Sequence, residues 1–188
     1  MTRKVIITVL ACLLLGIPPA FAEDALILTV GALNLAHDHQ TIAGHDAVLK
    51  PEAAPVYGVA WERRHYNGIA YGAEYLTYSN PVDSAGASGH LTSRLVMFTL
   101  KKYHRPWAHV YPFVGVSAGL ADTSVSGVPG GTGLGPAFEI DGGVELQWAR
   151  SVGFYTELRG LYVPSGTVYG TNANVSGLGL SAGISLLF

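Results

Sequence analysis

The residues of this chain that could do chemistry fall into two groups. Acids recur at alternate positions of the C-terminal half, as Glu139, Asp141, Glu145 and Glu157, with Arg159 beside them and Glu74 earlier in the chain. On extended segments, residues two apart share a face, so these acids would converge on one interior. Carboxylates confined there need cations, hydrogen bonds or protonation, because unpaired buried charge is costly. Such a network fills and locks a lumen; its functional alternative is a narrow or gated pore. Arg94, Lys101 and Lys102 are further cations that could balance the acids, and the register of their segment leaves open which of them does. The second group is His37, His39 and His45 with Asp38 and Asp46. His-x-His can place two imidazoles on one face of an extended segment. No further ligands follow at a fixed spacing, so the expectation is solvated histidines and no metal site.

The elements that must position these groups are strands. After Asp24 the chain alternates at period two, and the spacing predicts strands at about 25–36, 55–65, 69–79, 91–103, 108–120, 137–148, 152–162 and 176–188. Short connections (Tyr66-Asn67-Gly68, His104-Arg105-Pro106-Trp107, Ala149-Arg150-Ser151) alternate with long ones at 37–54, 80–90, 121–136 and 163–175. In membrane barrels short turns face the periplasm and long loops the outside. The sixth strand sets Phe138, Ile140, Val144, Leu146 and Trp148 against Glu139, Asp141, Gly143, Glu145 and Gln147. The first face would meet lipid and the second the lumen. The fifth, seventh and eighth divide in the same way, with Val114, Leu158 and Leu180 outward and Ser117, Glu157, Arg159 and Ser181 inward. Aromatics near the short turns, namely Trp61, Tyr66, Tyr103, Trp107, Trp148 and Phe154, are expected to form a periplasmic girdle, with Phe188 at the chain end.

Composition supports that picture. The chain is 49% hydrophobic and only 13% charged, against a usual ~25%, so much apolar surface must face something other than water. No segment after residue 22 is a continuous apolar run long enough for a membrane helix, and a closed barrel is the other structure that satisfies its own backbone in lipid. Residues 1–22 are expected to be a cleaved signal peptide: Arg3 and Lys4, an apolar run from Val5 to Ile17, then Ala20-Phe21-Ala22. A lipoprotein signal ending at Cys12 is the competing reading. Without that segment the chain has no cysteine, and its 11 Lys+Arg fall to 9 against 13 Asp+Glu, which disfavours nucleic-acid binding.

Tyr111-Pro112-Phe113-Val114-Gly115-Val116, Gly142-Gly143-Val144-Glu145-Leu146, Thr156-Glu157-Leu158-Arg159 and the terminal Leu186-Leu187-Phe188 resemble the small eight-stranded outer-membrane barrels of the OmpA transmembrane-domain, OmpX and opacity-protein type. The resemblance covers nearly all of 25–188. It implies that Phe188 is the signal read by the barrel-assembly machinery. Around Pro112–Gly127 and Val152–Gly166 the chain is also similar to PagL-type lipid A deacylases. That family's His-x-Ser pair is replaced here by Tyr162-Val163-Pro164-Ser165, and no histidine follows His109, so the nucleophile's base is missing. The expectation is an all-β protein, with residues 23–188 forming an eight-stranded antiparallel up-and-down transmembrane β-barrel in the outer membrane. It is read as non-enzymatic, with a structural or surface-interaction role. The alternatives are a lipid A-modifying acyl hydrolase and a small-solute pore. Expected partners are outer-membrane lipids and lipopolysaccharide, the assembly machinery and a surface ligand; no cofactor and no catalytic residue is assigned.

Overall fold

The computed structural model describes residues 22–35, 39–42, 45–49, 53–84, 87–104, 109–127, 132–164, 171–172 and 175–188. They contain eight long strands: β1 (Ala22–Leu35), β2 (Ala54–His65), β3 (Ile69–Ser84), β4 (Ala87–Tyr103), β5 (Val110–Ser126), β6 (Thr132–Ala149), β7 (Val152–Tyr162) and β8 (Gly177–Leu187). Each pairs antiparallel with its sequence neighbours, and β1 pairs with both β2 and β8, so the sheet closes on itself. The seam is completed at the chain end, where Asp24 N–H donates to Phe188 O at 3.0 Å and Phe188 N–H to Asp24 O at 2.9 Å. At the first short turn Gly68 has φ +80°, a left-handed conformation that suits glycine, and Asn67 Oδ1 accepts from Ile69 N–H at 3.0 Å. The expected signal segment lies outside the described residues except for Ala22.

The barrel is inside out. Outward positions carry Ile140 (70% exposed), Val114, Leu158, Leu178 and Leu180, while Glu62, Glu145, Glu157, Lys101 and Arg159 are buried in the interior. In water this arrangement would waste the hydrophobic driving force; in a bilayer the apolar face is solvated by acyl chains. The interior has two tiers. At the end bearing the short turns, Tyr103, Phe113 and Tyr155 stack with ring centroids 5.2 and 4.9 Å apart. At the other end Leu33, Val56, Leu76, Leu91, Leu95 and Met97 pack into an apolar plug, roofed by a bond from the Tyr78 hydroxyl to Val175 O at 3.1 Å.

Two expected loops are largely strand. Segments 80–90 and 121–136 extend β3 to Ser84, β4 back to Ala87, β5 to Ser126 and β6 back to Thr132. Beyond the apolar band the outer face meets water, so Ser88, His90, Arg94, Asp122 and Ser126 are exposed there and the apolar alternation that marks a lipid-facing strand stops. The ladder continues because each strand still has partners, aided by cross-strand hydroxyl pairs Ser79–Thr92 at 3.2 Å and Ser93–Thr123 at 3.0 Å. β3–β6 therefore form a wall taller than the other four strands. The expected loop 37–54 likewise contains a hairpin, His39–Ile42 with His45–Leu49, whose second arm pairs with the top of β3. His37 and Asp38 lie outside the described residues.

Candidate functional site

Alternation on five strands aims a set of ionisable side chains into the lumen. Glu62 and Arg64 come from β2, Glu74 from β3, Lys101 from β4, Glu139, Asp141 and Glu145 from β6, and Glu157 and Arg159 from β7, all buried. Arg64 spans Glu145 Oε2 at 2.7 Å and Glu62 Oε2 at 3.2 Å. Lys101 Nζ lies 3.0 Å from Glu62 Oε1, 3.5 Å from Asp141 Oδ2 and 3.8 Å from Glu157 Oε2, and donates to the Tyr155 hydroxyl at 2.6 Å. Arg159 meets Glu74 Oε1 and Glu139 Oε2, both at 3.1 Å, and also contacts Glu157. Hydroxyls complete the lower part: Tyr103 donates to Glu62 Oε2 at 2.8 Å, Tyr155 to Glu157 Oε2 at 3.1 Å, and Ser185 to Glu145 Oε1 at 2.6 Å. The result is a continuous lattice from Glu145 through Arg64, Glu62, Lys101, Glu157 and Arg159 to Glu74 and Glu139. Such a lattice can cross-brace opposite walls of the barrel.

Glycine makes room for it. A Cβ on Gly153 would sit 2.6 Å from Glu145 Oε1 and 2.5 Å from Ser185 Oγ, and one on Gly115 would meet the Asp141 carboxylate and, at 2.7 Å, Lys101 Cγ. Gly115→Val should therefore destabilise the barrel by about 1–3 kcal/mol through overpacking, read as a lower urea midpoint for the heat-modifiable folded band on gels. An unchanged midpoint would mean that the lattice has slack the geometry does not show.

The six residues expected in the lumen from sequence all point inward; Arg159 meets Glu74, Glu139 and Glu157, Lys101 lies beside Asp141 and Glu157, and Glu145 is held by Arg64. Glu62 and Arg64 were missed, and Lys101 is the one of the three candidate cations Arg94, Lys101 and Lys102 that turns inward. For β2 a signal existed, since Tyr57, Val59 and Trp61 alternate against Ala60, Glu62 and Arg64; for β4 both faces end in lysine, and only pairing with β3 and β5 turns Lys101 inward and leaves Arg94 and Lys102 exposed. Of the aromatics, Tyr103 is a correction. It shares the parity of Lys101 and Thr99, is 6% exposed inside the barrel, and has Arg64 stacked 4.5 Å over its ring. Trp61 lies on the outer wall with Arg63 at 5.8 Å from its ring. Trp148 and Phe154 meet edge to face at 6.2 Å across the β6–β7 turn, and Tyr66 and Phe188 are exposed. Trp107 lies outside the described residues. His39 and His45 sit on the short hairpin, and among the described residues no group of three or more His, Cys, Asp or Glu is placed to hold a metal.

No protein-family model matches the chain, and no curated protein matches it in sequence. Solved structures do match in shape. Neisserial surface protein A superposes with a TM-score of 0.63 at 16% identity, covering 90% of this chain and 100% of that one. OprG from Pseudomonas aeruginosa gives 0.60 at 10% identity, covering 89% and 96%. Ail of Yersinia pestis, in complex with the heparin analogue sucrose octasulfate, gives 0.57 at 9%, covering 90% and 100%. The chain has the fold of the small eight-stranded outer-membrane β-barrels. In this fold the sheet is closed, so no strand edge is left to lipid.

Proposed function

We propose that the protein is a non-enzymatic outer-membrane component that displays a binding surface outside the cell on the projecting wall of β3–β6. The observation that carries this reading is the contrast between the two ends of the barrel interior and its rim. Among the described residues the lumen is packed by the ion-pair lattice and the apolar plug, which supports a surface role over a pore, while β3–β6 continue past the apolar band with Ser88, His90, Arg94, Asp122 and Ser126 exposed. Long strands that hold polar side chains clear of the membrane make a rigid platform, and loops on such platforms are where binding residues concentrate. That Ail has been seen with a heparin analogue supports surface binding as a use of this fold. The lipid A hydrolase remains the rival from another class. Ser165, its only serine at the matching place, lies outside the described residues.

Two measurements test the reading together. Epitope tags inserted between Gly127 and Thr132 should be labelled on intact cells, and tags at Asn67-Gly68 or Arg150 should not. Purified barrel should give no discrete conductance in planar bilayers and release no fatty acid from lipopolysaccharide. Labelling with the opposite polarity would put the wall in the periplasm and end the proposal; stepwise currents would replace it with the pore, and fatty-acid release with the hydrolase.

A further inference from the structure

The outer wall bears a groove of about 470 Å³ that crosses four strands near the short turns, walled by Ile69 of β3, Leu100 and Lys102 of β4, Val114 and Val116 of β5 and Ile140 of β6. Two rows of outward side chains form its banks. Register sets Ile69, Lys102 and Val114 in one row and Leu100, Val116 and Ile140 in the next. The floor between them is backbone at Lys101 and Gly115, both of which face the lumen. The first row ends on Gly142, the partner of Val114, where an added Cβ would meet nothing nearer than 3.6 Å, so that end is open. Ile69 and Ile140 are three interstrand spacings apart, about 14 Å. One charge faces the groove. Lys102 is the last outward side chain of β4, and its ammonium donates to Asn67 O in the β2–β3 turn at 2.5 Å, which holds it at the turn end. Among the described residues that line the groove there is no acid, and Asp24, outward at the same end of the barrel, is engaged by Arg63 at 2.8 and 2.9 Å.

We propose that this groove binds one acyl chain of an anionic glycerophospholipid whose phosphate sits at Lys102, in the leaflet on the side of the short turns. An even apolar wall meets all surrounding chains alike; a groove with a cation at one end selects one lipid from its neighbours. The two apolar banks and the backbone floor take a methylene chain. The lysine stem lies along the first bank while its ammonium reaches the headgroup layer, as a long cationic side chain does at a membrane boundary. There it meets negative charge that no acid in the groove offsets. No lumen side chain takes part, so the site does not depend on the ion-pair lattice. That the lipid is a phospholipid and not lipopolysaccharide rests on the polarity proposed above, which puts the short turns in the periplasm.

The test is native mass spectrometry of detergent-solubilised barrel titrated with phosphatidylglycerol, phosphatidylcholine or lipopolysaccharide. Phosphatidylglycerol should bind as a single saturable molecule, and phosphatidylcholine about fivefold more weakly. Lys102→Gln should bring phosphatidylglycerol down to the level of phosphatidylcholine, and Lys102→Arg should keep the difference. Val116→Trp fills the groove on a face where a larger apolar side chain meets only lipid, and it should weaken both phospholipids. Both positions are exposed, so the heat-modifiable folded band should persist in every variant. Equal affinity for the two phospholipids would overturn the site, as would binding unchanged in Lys102→Gln or Val116→Trp, or lipids that add one after another without saturation. A dimer dispersed by added lipid would give the groove to a second copy of the chain. Lipopolysaccharide displacing phosphatidylglycerol would overturn the phospholipid assignment, whereas tag labelling on cells tests the polarity by itself.

Discussion

Arg159→Met should be the most damaging single change in the lumen, lowering unfolding stability by about 3–5 kcal/mol in urea titrations of refolded barrel. Methionine retains much of the volume, so the loss reports charge rather than a cavity. Arg159 is 1% exposed and holds Glu74 and Glu139 at 3.1 Å each, besides Glu157. Removing it strands Glu74 and Glu139 in a space that already carries excess acid, since no other described cation forms an ion pair with either, while Glu157 keeps Lys101 and the Tyr155 hydroxyl. Glu157→Gln should cost less, about 1–2 kcal/mol, because the amide oxygen still accepts from the Tyr155 hydroxyl and one negative charge leaves an acid-rich interior. If Arg159→Met were as mild as Glu157→Gln, the lattice would be ornament to a barrel held by its ladder alone.

Leu158→Arg should cost about 2–4 kcal/mol on the outer wall. Leu158 is 59% exposed and stands midway along the outward row of β7, between Phe154 near the β6–β7 turn and Tyr162 at the far end. An arginine there has the longest way to either headgroup layer. Leu146→Arg should cost less, since Leu146 lies two residues from Trp148 beside the turn and its replacement can reach the interface. Stability measured in one lipid for both variants checks this order. A neutral Leu158→Arg would mean that β7 turns its apolar row away from lipid, and the inside-out assignment of that strand would fall. Adjacent residues 157 and 158 thus give opposite readings from one strand: the acid is tolerant of an amide, the leucine intolerant of a charge.

Much of this was legible in the sequence because a membrane barrel imposes a local code. Lipid on one side and a narrow lumen on the other force period-two alternation wherever the strand crosses the bilayer, and β6, β7 and β8 show it without ambiguity. Their faces, the strand number and the inward direction of Glu139, Asp141, Glu145, Glu157 and Arg159 followed. The code fails where its physical cause stops. Above the apolar band water bathes the outer face, so the upper parts of β3–β6 lost their alternation and read as loops, though their ladders continue. It also fails where both faces look alike: β4 offers Lys101 and Lys102 in succession, and Tyr103 beside them passed for a girdle residue.

The sequence by itself therefore determined the barrel, its strand count and which way most side chains point, since each depends only on a residue and its near neighbours. Only the tertiary structure decided which charges meet. Arg159 and Glu74 are 85 residues apart and touch because closure brings β3 and β7 within reach across the lumen, as Tyr103 and Glu62 touch across 41. Those pairings depend on register and on the small diameter of a closed eight-stranded sheet, which no local pattern records.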